Sequence, residues 1–314
     1  MKIAISGWIK SCCKFRLNKE KMNPGKTSRT LIKPRKIDFG FTDQLPYKWY
    51  NGNPAIFTLC NVISIMFPVG EQFFIDSVRY YKDKIKNPAL LEEMAGFIAQ
   101  EAMHSKQHDL CNQLLKTQHK QLVVFEKNAQ VFLDRIRRFF PARTQLAVSC
   151  ALEHFTALFA HQLLATQSFK NHAHPVYAKL WIWHAIEETE HKAVCYDVYQ
   201  HVAGGPLGYV ERCLVMLSTS LVFLAVIMTG FVIVTLSKPK KKIQTPEKKN
   251  GVMTGIYKMF FSKEGLVREI MIPYLAYYLP FFHPWKQDNS QLIKRWKAEY
   301  ENGLFRDADD TLGP

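Results

Sequence analysis

Between Ala55 and His201 apolar residues recur three and four positions apart, and Pro, Gly and Asn divide the pattern into helix-sized lengths. The first predicted helix runs from Ala55 or Ile63 to Ile85, with a kink or a late start expected where Pro68 and Gly70 fall. Asn87-Pro88 makes a turn, and a second helix continues to about Thr117. Leu122 to Phe139 forms a crossover helix that Pro141 ends; a third long helix covers Arg143 to Phe169. After a loop at Asn171 to Pro175, a fourth continues unbroken to His201, where Gly204-Gly205-Pro206 stops it. Four long helices with a crossover between the second and third imply an all-α bundle.

The flanking segments follow other patterns. Residues 1 to 36 join a short apolar opening to many Lys and Arg, which predicts a flexible basic arm. From Ile37 to Pro54 aromatics alternate with Pro and Gly, as in an ordered lead-in packed on the bundle. Leu214 to Leu236 is uncharged and longer than the roughly 20 residues that cross a bilayer core. Met271 to Phe282 is a shorter apolar segment containing Pro273 and Pro280, and Leu292 to Tyr300 is basic and amphipathic. The implied organisation is a basic arm (1–36), a bundle (37–205) and an apolar, membrane-associated helical appendage with a tail (206–314).

Charge sharpens this reading. The 314 residues carry 42 Lys and Arg against 27 Asp and Glu, a net +15, which favours an anionic partner. No nucleic-acid-binding motif is visible, so the expected partner is an anionic membrane surface rather than nucleic acid. The seven cysteines are scattered, odd in number and free of Cys-x-x-Cys spacing, as expected of buried thiols in a reducing compartment. Acylation of Cys12-Cys13 is the less favoured reading of that pair. The basic arm places the bundle on the cytoplasmic side of a membrane, although Lys238 to Lys249 assigns the far end of the apolar stretch to that side too. Monomer and homodimer are both compatible with the sequence.

The candidate chemistry lies inside the bundle helices. Glu188 and His191 are three residues apart on one helix face, close enough for carboxylate and imidazole to meet at one ion, and Glu101 and His104 repeat that spacing. Glu71 and Glu153 each stand among large apolar residues on the other two helices. The order is single, pair, single, pair, and a buried metal pair removes the cost of placing so many ionisable groups in apolar helices. Glu187 is a rival to Glu188, and His108 and His184 lie one turn from the pairs, as extra ligands or as groups that orient the ligands. Glu190 points away from Glu188 and is read as a surface or salt-bridge residue; His154 and His283 are read as structural.

The strings FPVGEQFF, FIAQEAMHSKQH, ALEHFTA and WHAIEETEHKAVCYDVY resemble those of a bacterial family of predicted metal-dependent hydrolases, assigned to the ferritin-like group. The resemblance covers roughly residues 37 to 300 and implies a ferritin-like bundle around two divalent ions, with iron favoured over manganese or zinc. Iron in such an oxygen-rich ligand set passes electrons to O₂, so the leading expectation is O₂-dependent hydroxylation or desaturation of a lipophilic substrate. Hydrolysis of an ester or phosphoester, as the family description supposes, is the alternative, and a non-catalytic metal-binding bundle the third.

Overall fold

The computed structural model describes residues 32–166, 168–236, 251–261 and 266–299. Among them the chain is all-α, without strands beyond one isolated bridge between Tyr50 and Ala173. The expectations for residues 1–31, for Cys12-Cys13, for Lys238 to Lys249 and for the acidic end fall outside the described residues.

Helix α1 (Pro54–Arg79) begins where the Asn53 side chain accepts from the Ala55 N–H at 2.9 Å. There is no late start, and the helix continues through Pro68. A proline there leaves the Ser64 carbonyl without its intrahelical donor, and the buried Asn112 amide supplies one at 2.7 Å. Helix α2 (Pro88–Gln118) is capped by Asn87 with Pro88 at its first position. It packs closely along α1. Helix α3 (Gln121–Phe139) is the crossover, ended by Pro141, and leads to α4 (Ala142–Ala165). The third predicted helix therefore stops early, and Ser168–His172 forms a separate short α5.

The fourth predicted helix is two. Helix α6 (Pro175–His191) ends at the last candidate ligand, and α7 (Val194–Ala203) begins after Lys192-Ala193. The break coincides with a tie that no propensity records: Lys192 Nζ, buried, donates to Gln287 O at 2.7 Å and to Asn289 Oδ1 at 2.5 Å. Almost every residue of α6 from Tyr177 onward is buried, including the charged run Glu187 to His191, which therefore needs partners inside the fold. It lies against α4, with the lead-in segment stacked on its start. There Trp49 stacks on Tyr177 with ring centroids 5.0 Å apart, and its Nε1 donates to Asn61 Oδ1 at 3.0 Å.

Described residues from Ile32 onward belong to one compact unit. Residues 33–36, read from sequence as part of the basic arm, lie against the bundle, with the Lys33 carbonyl bonded to Gln100 and Arg35 paired to α6. Beyond α7, helix α8 (Pro206–Leu236) packs on α1, α3 and α4. Helices α9 (Gly251–Phe261), α10 (Leu266–Ala276) and α11 (Ser290–Glu299) complete the fold. The 206–299 segment is sewn to the bundle by buried groups. Trp296 Nε1 donates to Leu164 O at 2.9 Å and His154 Nε2 to Pro273 O at 3.2 Å, while Arg212 Nη1, donating to Tyr277 O at 2.5 Å, ties the segment to itself. His283 pairs with Asp197 at 3.0 Å, outside the ligand cluster.

Candidate metal centre

Four helices converge where the sequence places its carboxylates: α1 brings Glu71, α2 brings Glu101 and His104, α4 brings Glu153, and α6 brings Glu188 and His191. All six side chains are buried, none more than 2% exposed. Single ligand atoms from Glu101, Glu153, Glu188 and His191 lie within 4.8 Å of one another, and so do atoms from Glu71, His104 and His184. Glu188 straddles the two groups. Its Oε1 is 3.8 Å from His104 Nδ1, and its Oε2 is 3.5 Å from His191 Nε2.

The polar atoms divide sharply into those facing inward and those facing outward. Both carboxylate oxygens of Glu71, Glu101 and Glu153, with His104 Nδ1 and His191 Nε2, are buried without a hydrogen-bond partner. Orphaned atoms of this kind are costly, several kcal/mol each for an ion, unless a cation completes them. His191 Nε2 stands 2.9 Å from Glu101 Oε1 without forming a hydrogen bond, the separation expected of neighbouring ligands on one ion bound at roughly 2.1 Å. Four carboxylates also match the charge of two divalent ions. The residues present therefore fit a metal pair.

Outward-facing atoms, by contrast, are satisfied. His104 Nε2 meets Glu187 Oε2 at 3.1 Å, His191 Nδ1 meets Gln100 Oε1 at 2.9 Å, and the Thr156 hydroxyl donates to Glu188 Oε2 at 2.6 Å. These bonds fix the ring orientations that turn Nδ1 of His104 and Nε2 of His191 inward. Arg35 backs this arrangement, donating to Glu187 Oε1 at 2.8 Å and to Glu190 at 2.7 and 3.0 Å. Glu190 also accepts from Gln100 and pairs with Lys297 at 2.6 Å. It is thus a salt-bridge residue, though buried rather than at the surface. Glu187 turns toward Arg35, which leaves the inward position to Glu188.

Titration follows from this crowding. Burial, reinforced by the neighbouring carboxylates, holds Glu71 and Glu153 well above the usual carboxyl range. For Glu101 and Glu188 burial acts in the same sense but is outweighed by adjacent imidazoles, so both lie low. Burial would depress His104, yet the adjacent Glu101 and Glu187 carboxylates raise it to about 9; His191 rises well above its ordinary value beside Glu101 and Glu188. Burial pushes His108 and His184 down, with further repulsion from other imidazoles. The cluster needs bound cations or retained protons to exist.

Aromatic rings close the surroundings: Phe97 against His191, Trp183 against His104, and Phe67 against His108 and His184, with centroids 4.9, 4.8, 4.7 and 4.3 Å apart. Arg35, Gln100 and Thr156 were not among the residues singled out from sequence, because nothing in their own spacing links them to a ligand. His108, expected near the ligands, bonds to Ser64 and His184 and is outside both ligand groups.

An all-α bundle with two buried groups of carboxylates and imidazoles, each able to hold a metal ion, defines a candidate metalloprotein. The chain belongs to the predicted metal-dependent hydrolase family, whose model matches residues 33–288. Comparison with curated proteins and with solved structures gives no match.

Proposed function

We propose that the protein is a dinuclear metal-dependent hydrolase acting on an ester or phosphoester of a lipophilic molecule. The observation that carries this reading is the set of orphaned inward atoms on Glu71, Glu101, His104, Glu153 and His191, met by Glu188, within a chain of the predicted metal-dependent hydrolase family. Divalent ions held there supply Lewis acidity toward a carbonyl or phosphoryl oxygen. The chain's own contribution is orientation and dryness. Glu187 and Gln100 hold the two imidazoles in place, Thr156 anchors Glu188, and the surrounding aromatics exclude bulk water. Iron, manganese and zinc all suit the mixed carboxylate and imidazole donors.

The lipophilic substrate and an anionic membrane partner belong to the same proposal. Two helices, Pro54–Lys84 and Pro206–Leu236, are long and apolar enough to cross a bilayer by length and composition, with mean hydropathy 1.4 and 2.4. The first is mostly buried within the fold. On α8 the stripe Gly208, Arg212, Met216, Thr219 faces the bundle, while on the opposite side Leu207, Val210, Leu214, Leu217 and Leu221 are exposed, with Ser218 the one polar side chain among them. A helix in contact with water carries polar residues on that side; this one suits lipid.

A second reading, O₂-dependent oxidation of a lipophilic substrate, draws its support from ligands that are completely buried among aromatic rings, as a strong oxidant would require. The two readings separate in one experiment. Protein loaded with manganese or zinc and assayed without O₂ against aryl esters and phosphoesters of increasing chain length should turn them over, with Glu101→Ala inactive. O₂ uptake by the iron(II)-loaded protein, with no ester or phosphoester turnover under any metal, would replace hydrolysis with oxidation. Neither activity, in folded protein containing two ions, would leave a non-catalytic metal bundle.

A further inference from the structure

The repeated Glu-x-x-His pattern provides one imidazole per pair, yet a third buried imidazole stands in the same cluster. His184 shares a 4.8 Å ligand group with Glu71 and His104, and its ring stacks on that of His104 with centroids 4.0 Å apart. It lies one turn before Glu188 on α6, with Nε2 2.9 Å from Glu188 Oε1. That contact alone is compatible with an ordinary hydrogen bond. The chain of bonds behind His184 decides otherwise.

The donor directions can be followed from the Pro68 position inward. Asn112 Nδ2 is committed to the Ser64 carbonyl, so its Oδ1 accepts, and it takes the Ser64 hydroxyl proton at 2.7 Å. The Ser64 oxygen, having spent its only proton, accepts from His108 Nδ1 at 2.8 Å. With its proton on Nδ1, His108 presents the Nε2 lone pair to His184 Nδ1 at 2.9 Å, and His184 must donate. The ring proton of His184 is thereby placed on the side away from Glu188. Its Nε2 lone pair faces a carboxylate oxygen, and two acceptors at 2.9 Å repel unless a metal ion or a retained proton lies between them. Neighbouring ligands on one ion, each bound at roughly 2.1 Å, stand about 3 Å apart.

We propose that His184 Nε2 is a third imidazole ligand, held by the Asn112–Ser64–His108 chain, and that it makes the two ion positions chemically unequal. The inference rests on the dinuclear reading above. One position draws on Glu71, His104 and His184, the other on Glu101, Glu153, Glu188 and His191, and Glu188 reaches toward the first through Oε1, 2.9 Å from His184 Nε2 and 3.8 Å from His104 Nδ1. The nitrogen-richer position favours cobalt or zinc, and the carboxylate-richer one tolerates manganese.

The test uses the full chain and cobalt(II) alone under argon. Wild-type protein should bind two equivalents, with X-ray absorption showing three imidazoles shared over two ions. His184→Ala should retain the far-UV circular dichroism of the wild type, weaken one equivalent by about tenfold or more, and lose one imidazole from the absorption spectrum. His108→Ala should weaken the same equivalent while keeping the imidazole count. Two full equivalents with an unchanged imidazole count in His184→Ala would overturn the inference and leave the dinuclear reading standing. Two imidazoles in wild-type protein would overturn it even if the variant failed to fold. Fewer than two wild-type equivalents would remove the dinuclear reading itself.

Discussion

Arg35 lies 152 residues before Glu187 in sequence, yet its guanidinium is bonded directly to the support of His104, Glu187, and through Glu190 to the support of His191, Gln100. Its planar fork spans Glu187 and Glu190 at once, which an ammonium group on lysine cannot reproduce. Removing it leaves two buried carboxylates short of their main cation, a change that costs about 3–5 kcal/mol for a buried pair, less here because Arg35 is partly exposed. Arg35→Ala is therefore expected to lower the urea midpoint and to weaken metal binding about 10- to 100-fold, measured by competition with a chromogenic chelator. Arg35→Lys should recover part of the stability and little of the affinity. Glu101 with His104 and Glu188 with His191 stood out in the sequence because helix geometry converts a three-residue spacing into a shared face, and Glu71 and Glu153 because each is a lone carboxylate among large apolar residues. Arg35 did not, because an extended segment reaches the site through tertiary packing, which leaves no periodic trace; its basic neighbours read instead as a solvated arm.

Among the elements, the departures from sequence expectation have local physical causes. Pro68 neither delays nor ends α1, since Asn112 from α2 satisfies the carbonyl that proline orphans. The break between α6 and α7 coincides with a buried lysine tied to a distant loop, so no helix-stop residue marks it. The all-α pattern and its crossover helix, carried by long periodic segments, were legible, although the third predicted helix stops at Ala165 and the fourth divides after His191. Helix α8 approaches α1 closely at Gly230, where an added Cβ would collide with Val62 and come within 3.2 Å of Phe125. Gly230→Ala is expected to destabilise the protein by about 1–3 kcal/mol in chemical denaturation, since the contact is already close-packed. Thr229→Ala, one residue away and exposed, should change stability by less than about 0.5 kcal/mol.

At the scale of the molecule, the proposed membrane association draws on both the +15 charge and the apolar outer side of α8. Exposed Leu279 and Phe281, beyond α10, extend the apolar surface. The protein should sediment with vesicles containing anionic lipid, less with neutral vesicles, and less still in high salt. Leu217→Gln, Leu221→Gln and Leu224→Gln combined should reduce partitioning by about tenfold or more while leaving metal content unchanged, because those side chains point away from the core. The burial of every candidate ligand, with aromatic rings against both motif imidazoles, has a kinetic corollary. A chelating agent cannot touch an ion in the closed fold, so extraction must wait for a spontaneous parting of the helices. Loss of metal into excess EDTA should then proceed at a rate that reaches a plateau as the scavenger concentration rises, and that plateau measures how often the bundle breathes.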